Sequence, residues 1–64
     1  MTREQEFTIF VLEIYRRARN LTGREAHQLF EKHDIFAAIT DNYLLWHIES
    51  PENFIVEIDA LCSR

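Results

Sequence analysis

Apolar residues recur at intervals of three and four along most of this 64-residue chain, and no stretch alternates apolar with polar residues for long enough to predict a β-strand. Such intervals place side chains on one face of an α-helix, where they can be buried together. Only one Gly and one Pro interrupt the pattern. We therefore predict an all-α fold with a single helical domain over residues 1–64, in which three to four short helices form a compact bundle.

Capping residues predict where these helices begin. Thr2 stands three residues before Gln5, which is the spacing of a capping box. The run Thr22-Gly23-Arg24-Glu25 is a second and clearer capping box. Ser50-Pro51-Glu52 predicts the start of the last helix, with Ser as the cap and Pro in the first turn.

Helix ends are predicted from turn residues and from shifts of the apolar face. The first helix is expected to run to about Arg19 and to end at Asn20, and Asp34 is expected to close the turn after the second helix. The apolar face shifts near Thr40-Asp41, which predicts a kink or short break at which either residue caps a new helix.

The predicted core follows from the helical projection. The first helix carries a stripe about 100° wide, and the second and last helices carry shorter ones. The stripe residues, in chain order, are Phe7, Phe10, Val11, Ile14, Ala18 and Leu21, then Ala26, Leu29 and Phe30, and finally Phe54, Ile55, Ile58, Leu61 and Cys62.

Length, cysteine count and charge limit the function. A domain this small has a thin margin of stability, and a single Cys cannot form an internal disulfide. Residues 1–24 contain five Arg and three Glu, whereas residues 25–64 contain two basic and eight acidic residues, which is the opposite of a nucleic-acid binder. No leader, lipidation motif or membrane-spanning run is recognisable, so we expect a soluble cytoplasmic protein.

No residue set has the spacing of a reactive site. His27, His33, His47 and Cys62 are the soft metal ligands, and none has a helical partner at i+3 or i+4 among them. A set of Cys62, His47 and Asp59 is conceivable, but so short a chain can hardly enclose a pocket around it. We therefore expect no enzyme activity, no catalytic, cofactor-binding or metal-binding residues, and no small-molecule substrate.

The first helix carries a second apolar strip away from its core stripe. Ile9 and Leu12 form this strip, and Tyr15 and Arg16 lie beside it. One interpretation is that the strip packs against another helix of the same chain. The other is a protein interface formed by Ile9, Leu12, Tyr15 and Arg16, because Tyr and Arg beside aliphatic anchors are favoured at protein contacts. A homodimer through this helix would also stabilise a small domain.

The run Glu13-x-Tyr15-Arg16-x-Ala18-x-x-Leu21-Thr22-Gly23-x-Glu25, with Leu29-Phe30 and Tyr43-x-x-Trp46-His47, resembles a family of short bacterial proteins of unknown function. The resemblance covers nearly the whole chain and implies an all-helical fold. It also implies a role as a partner or antitoxin, because the family's genes lie beside those of ADP-ribosyltransferase-like toxins. Trp46 stands where the family has Leu, and the last helix is shorter than the family's by about one residue; these departures put the register of the last helix in doubt.

Three of the shared residues, Glu13, Tyr15 and His47, are not explained by packing alone. They either form a polar contact within the bundle or line a partner surface.

We therefore predict a small protein-interaction module whose partner is another protein or a second copy of the chain, with a regulatory or antitoxin-like role as the more specific hypothesis. The alternative is a helix-turn-helix DNA-binding protein, because a short turn joins the second and third helices. Its weakness is charge, since the segment from Ile35 to His47 contains no Arg or Lys. No nucleic acid or membrane is expected as a partner.

Overall fold

The computed structural model describes residues 1–63 and contains five helices in chain order. They are α1 (Arg3–Ala18), α2 (Gly23–Lys32), α3 (Ile35–Asp41), α4 (Tyr43–Trp46) and α5 (Pro51–Cys62). No strand occurs within residues 1–63. The predicted all-α bundle is confirmed, with α4 as a single extra turn.

Both predicted capping boxes are present. The Thr2 hydroxyl accepts a hydrogen bond from the Gln5 backbone N–H at 3.1 Å, and the Gln5 side chain accepts one from the Thr2 N–H at 2.9 Å. Thr22 and Glu25 make the same pair of bonds at 3.1 and 2.9 Å. Each box satisfies N–H groups that the first turn of a helix leaves without partners, so the starts of α1 and α2 are determined locally.

The residues predicted to end α1 and α2 both adopt the left-handed conformation, with φ of 57° at Asn20 and 56° at Asp34. After α1 the Leu21 N–H donates to the Arg16 carbonyl at 2.7 Å and the Asn20 N–H donates to the Arg17 carbonyl at 3.3 Å. These two bonds form a complete Schellman motif. Asn and Asp tolerate a positive φ better than other residues with a Cβ, which explains why the chain turns there.

The break between α3 and α4 falls at Asn42, so the prediction that Thr40 or Asp41 caps a new helix is wrong. The Thr40 hydroxyl instead donates back to the Phe36 carbonyl at 3.2 Å, and the Asn42 side chain donates to the Ala38 carbonyl at 2.8 Å. Both side chains thus close the end of α3, and α4 begins without a side-chain cap.

Ser50 occupies the position before α5 and Pro51 its first turn, as predicted. The Ser50 hydroxyl, however, accepts no backbone N–H of the helix. The fixed φ of Pro51 therefore contributes more to this helix start than a side-chain cap does.

The core lies where α1 packs against α2, α3 and α5, with α4 linking α3 to α5. Nine buried apolar residues fill it: Val11, Tyr15, Ala26, Phe30, Ile35, Ile39, Trp46, Phe54 and Ile58. The stripes predicted for α2 and α5 are confirmed, since Leu29, Ile55, Leu61 and Cys62 pack against these buried residues.

The predicted core stripe of α1 needs two corrections. Phe10 is 46% exposed, although its ring meets that of Phe54 edge-on with centroids 6.3 Å apart. Ala18, at the last residue of α1, is also exposed. In their place Tyr15 is buried beside Val11, so the buried face is rotated toward Tyr15 relative to the predicted one.

Candidate protein-interaction surfaces

The four residues predicted to form an interface on α1 have different environments. Ile9 is 50% exposed. Leu12 is half-buried and packs against the core, and Arg16 is half-buried with its guanidinium on the Glu13 carboxylate, where Nη2 and Oε2 are 2.9 Å apart. We call Ile9, Leu12, Glu13 and Arg16 the α1 surface. It is continuous along one face of the helix and contains both signs of charge.

Tyr15 does not belong to the α1 surface, because only 4% of it is exposed. It lies four residues after Val11 on the same face of α1, and both side chains are buried. Its ring packs against Phe30 with centroids 5.5 Å apart. The Tyr15 hydroxyl donates to Asp59 Oδ1 at 2.6 Å. The structure therefore places Tyr15 in the core, where little of it remains to contact another protein.

Asp59 joins α1 to α5 through two donors. Besides the Tyr15 hydroxyl, Arg19 donates to both carboxylate oxygens through Nε and Nη2. The Arg19 hydrogen bond first, and the Tyr15 hydrogen bond to a smaller degree, hold the pKa of Asp59 below its usual value. Burial first, and then the Asp59 hydrogen bond, raises the pKa of Tyr15 to about 12. A neutral hydroxyl and an ionised carboxylate are thus the stable pair.

This pair predicts how stability changes with pH. The pKa of Tyr15 is raised in the folded state, so its contribution is complete below pH 10 and is lost as the pH rises toward about 12. We expect Tyr15→Phe to lower the free energy of unfolding by about 1–3 kcal/mol at pH 7, and to weaken the loss of stability between pH 10 and about 12. Urea titrations of both proteins at a series of pH values measure this difference.

The matched control is Tyr43→Phe, because the Tyr43 hydroxyl makes no hydrogen bond within residues 1–63. If the two Tyr→Phe variants show the same loss of stability at pH 7 and the same alkaline profile, the Tyr15–Asp59 hydrogen bond does not stabilise the fold.

At acid pH the contribution of Asp59 changes in the opposite direction. The pKa of Asp59 is depressed in the folded state, so its stabilisation is present above pH 3.8 and falls as the pH drops below that value.

Glu13, Tyr15 and His47 do not contact one another through hydrogen bonds. Glu13 binds Arg16 and lies 3.7 Å from Arg17. His47 stacks on Tyr43 with ring centroids 4.7 Å apart, and its Nδ1 lies 2.7 Å from the Tyr43 carbonyl oxygen. Glu13 and His47 therefore each have a partner close in sequence, and of the three residues only Tyr15 forms a polar contact between helices.

A larger exposed apolar surface, which was not predicted from the sequence, lies on α4, on the turn after it and on α5. Its members are Leu44, Leu45, Ile48 and Val56, with exposures of 77%, 54%, 73% and 63%. We call these four residues the α4–α5 surface. Leu44 lies in α4, and Ile48 lies in the turn that follows it. The sequence signal that could have predicted this surface is the run Tyr43-Leu44-Leu45-Trp46. A helical turn with apolar residues on every side cannot bury all of them against one core.

A groove of about 380 Å³ runs between α4 and α5 beside this surface. Leu45 and Val56 line it, and so does Trp46, which is only 4% exposed and stacks on Phe54 with centroids 6.0 Å apart. The remaining lining residues are polar or acidic: Asn42, Glu49, Asn53 and Glu57. The groove thus combines three apolar side chains with two amides and two carboxylates.

The residues considered for chemistry are not assembled into a reactive set. Cys62 lies near Asp59, and burial first, then the Asp59 charge, raises the pKa of its thiol, which makes it a weaker nucleophile. His33 and His47 are the C-caps of α2 and α4, and His27 is exposed. Within residues 1–63 no three His, Cys, Asp or Glu side chains come together in a group that could hold a metal ion.

The helix that a helix-turn-helix protein would insert into DNA corresponds to α3, and its only charged residue is Asp41. It contains no Arg or Lys to bind phosphate or guanine. None of the helices described in residues 1–63 combines the length and the apolar character that crossing a membrane requires.

Comparison with known proteins identifies a family but no characterised relative. No curated protein and no solved structure matches the chain. The model of one family, described as "Protein of unknown function (DUF3791)", matches residues 6–64. This match covers all five helices apart from the first residues of α1. The chain therefore belongs to the DUF3791 family of proteins of unknown function.

Proposed function

We propose that this protein is a small interaction module that acts by binding another protein and not by catalysis. The observation that carries the proposal is the α4–α5 surface, where four aliphatic side chains are each more than half exposed. Together they present roughly several hundred Å² of apolar area, the size at which an exposed patch on a monomer marks an interaction site. Leaving such an area in water is costly for a domain with so small a core.

The size of the patch fits the centre of an interface. A stable interface covers roughly 800 Å² on each partner and has an apolar centre with a polar rim. The α4–α5 surface supplies such a centre, and Glu49 and Glu57 lie at its edge. Burying it would release enough free energy to offset part of the cost of association, which is about 4–15 kcal/mol.

The α1 surface supports a second contact, self-association into a homodimer. Glu6 lies near the start of α1 and Arg17 near its end, on the same flank of the helix as Glu13. In an antiparallel pair of α1 helices related by a two-fold axis, residues on the same flank meet, so Glu6 of one copy approaches Arg17 of the other. Ile9 and Leu12 would pack at the centre.

The more specific form of the proposal is a cytoplasmic regulatory or antitoxin-like partner of a protein encoded by a neighbouring gene. A chain with an exposed apolar patch and a mostly acidic second half is suited to occupy a site on another protein. Such a role needs no chemistry of its own, only a surface that fits.

Photo-cross-linking in the producing cells tests the proposal. A photoreactive amino acid would replace Leu44 or Ile48 on the α4–α5 surface, Ile9 on the α1 surface, or Gln28, an exposed residue of α2 that serves as control. We expect adducts with one other protein from positions 44 and 48, an adduct of doubled mass from position 9, and none from position 28. Equal labelling from all four positions, or no adduct from positions 44 and 48, would contradict the proposed function.

A further inference from the structure

We propose that the groove between α4 and α5 receives an amphipathic helix of the partner protein, in which apolar anchor residues are flanked by Lys or Arg. This inference rests on the proposed function and adds the kind of partner. Its basis is that one groove brings together the apolar side chains of Leu45, Trp46 and Val56 and the carboxylates of Glu49 and Glu57.

The groove is a preformed feature of the fold. Trp46 is held in the core by its stacking on Phe54, which itself is 1% exposed and meets Phe7 edge-on at 6.1 Å. Leu45 and Val56, which also line the groove, come from two different helices. A cleft supported in this way loses little conformational entropy when it is filled, so binding energy is not spent on forming it.

The charge at the rim selects a basic partner. Residues 43–62 contain four acidic residues and no Lys or Arg. Within residues 1–63 the ion pairs involve Glu13, Glu31 and Asp59, so Glu49 and Glu57 have no cationic partner. Glu49 accepts only a neutral hydrogen bond from the Asn53 amide, at 2.8 Å. Cations on a partner would therefore find two unneutralised carboxylates next to the apolar side chains of the groove.

The same charges disfavour a second copy of the chain as the occupant. A two-fold contact through this groove would bring Glu49 and Glu57 of one copy toward the same residues of the other. Like charges facing each other across an interface are unfavourable. The α1 surface, with Glu13 and Arg16 side by side, has no such penalty.

A helix fits the groove better than a strand or a small molecule. Residues 1–63 contain no strand, so no sheet edge is available for a partner to extend by backbone hydrogen bonds. A small molecule would fill the cleft but would leave Leu44 and Ile48 in water. A helix laid along the groove can cover these two residues as well, through anchors spaced at i, i+3, i+4 and i+7.

The test uses two labelled peptides of about 18 residues with Leu anchors at helical spacing, one with Lys on its flanks and one with Glu. By fluorescence anisotropy at low salt, we expect the wild-type protein to bind the Lys peptide at least about 10-fold more tightly than the Glu peptide. The preference should shrink as salt is added. Leu45→Gln should weaken binding of the Lys peptide, because it removes one wall of the cleft.

A charge-matched pair of variants separates the groove from the net charge of the protein. The double variant Glu49→Gln with Glu57→Gln should bind the Lys peptide roughly 3- to 10-fold more weakly than the wild-type protein does. The control double variant, Glu31→Gln with Asp34→Asn, removes two negative charges at the end of α2 and should leave affinity unchanged. Equal binding of both peptides, or equal losses in both double variants, would overturn the inference.

Two further results distinguish this inference from the proposed function. A wild-type dimer that Leu45→Gln dissociates would show that the groove holds a second copy, which overturns the basic-helix partner. Adducts from positions 44 and 48 with a protein whose affinity is unchanged in the Glu49→Gln, Glu57→Gln variant would also overturn it, while leaving the proposed function standing. Absence of adducts from positions 44 and 48 would contradict the proposed function itself.

Discussion

Replacing Phe30 with Ala is expected to unfold the domain in large part at room temperature. Phe30 has no exposed surface, and its ring contacts those of Tyr15 and Phe36, each with centroids 5.5 Å away. Removing a buried Phe costs about 3–5 kcal/mol, because the transfer free energy is lost and a cavity remains. A single-core domain of this length rarely has more than about 3–5 kcal/mol of stability, so the loss is comparable to the whole.

Far-UV circular dichroism and urea titration measure this effect. The control is Leu44→Ala, since Leu44 is 77% exposed and its truncation should change stability by no more than about 0.5 kcal/mol. If the Phe30→Ala protein unfolds cooperatively with nearly wild-type stability, α1, α2 and α3 do not pack around Phe30 as described.

The helix starts at Thr2 and Thr22 were predictable because a capping box needs only residues within the same turn. The Thr hydroxyl and the carboxylate or amide three residues later find each other regardless of how the helices pack. The turns at Asn20 and Asp34 were predictable for the same reason, since their positive φ suits those residues. Local chemistry thus defined most element boundaries.

The break before α4 was misplaced because three polar residues in a row, Thr40, Asp41 and Asn42, give no local reason to prefer one. Packing decides between them. Ile39 and Trp46 must both reach the same core, and a break at Asn42 allows this. Such long-range requirements cannot be read from helical spacing alone.

The candidate site was predicted only in part, for a related reason. Of the two interpretations left open for the second apolar strip, exposure fits Ile9, which is 50% exposed, but the helical projection placed Tyr15 beside that strip and away from the core stripe, whereas it is buried. The position of Asp59 on α5, 44 residues away in sequence, provides the partner for its hydroxyl. The exposed side of α4 likewise follows from where α5 lies, which the sequence pattern does not specify.

The second large effect concerns the α4–α5 surface. Leu45→Glu combined with Val56→Glu places two carboxylates on the facing walls of the groove, next to Glu49 and Glu57. Any apolar partner group in the groove would then meet unpaired charge, and truncation of such central anchors typically costs 2 kcal/mol or more in binding free energy. We expect affinity for the partner identified by cross-linking to fall by roughly 100-fold or more. Leu45 and Val56 are 54% and 63% exposed, so the fold should persist.

Isothermal titration of that isolated partner with the wild-type protein and with the Leu45→Glu, Val56→Glu variant tests the central claim most directly. Gln28→Glu with Ala37→Glu, at exposed positions of α2 and α3, is the control for adding two carboxylates elsewhere. A loss of affinity confined to the groove variant, with circular dichroism unchanged, is the predicted result. Equal affinity of all three proteins for the partner would contradict the account.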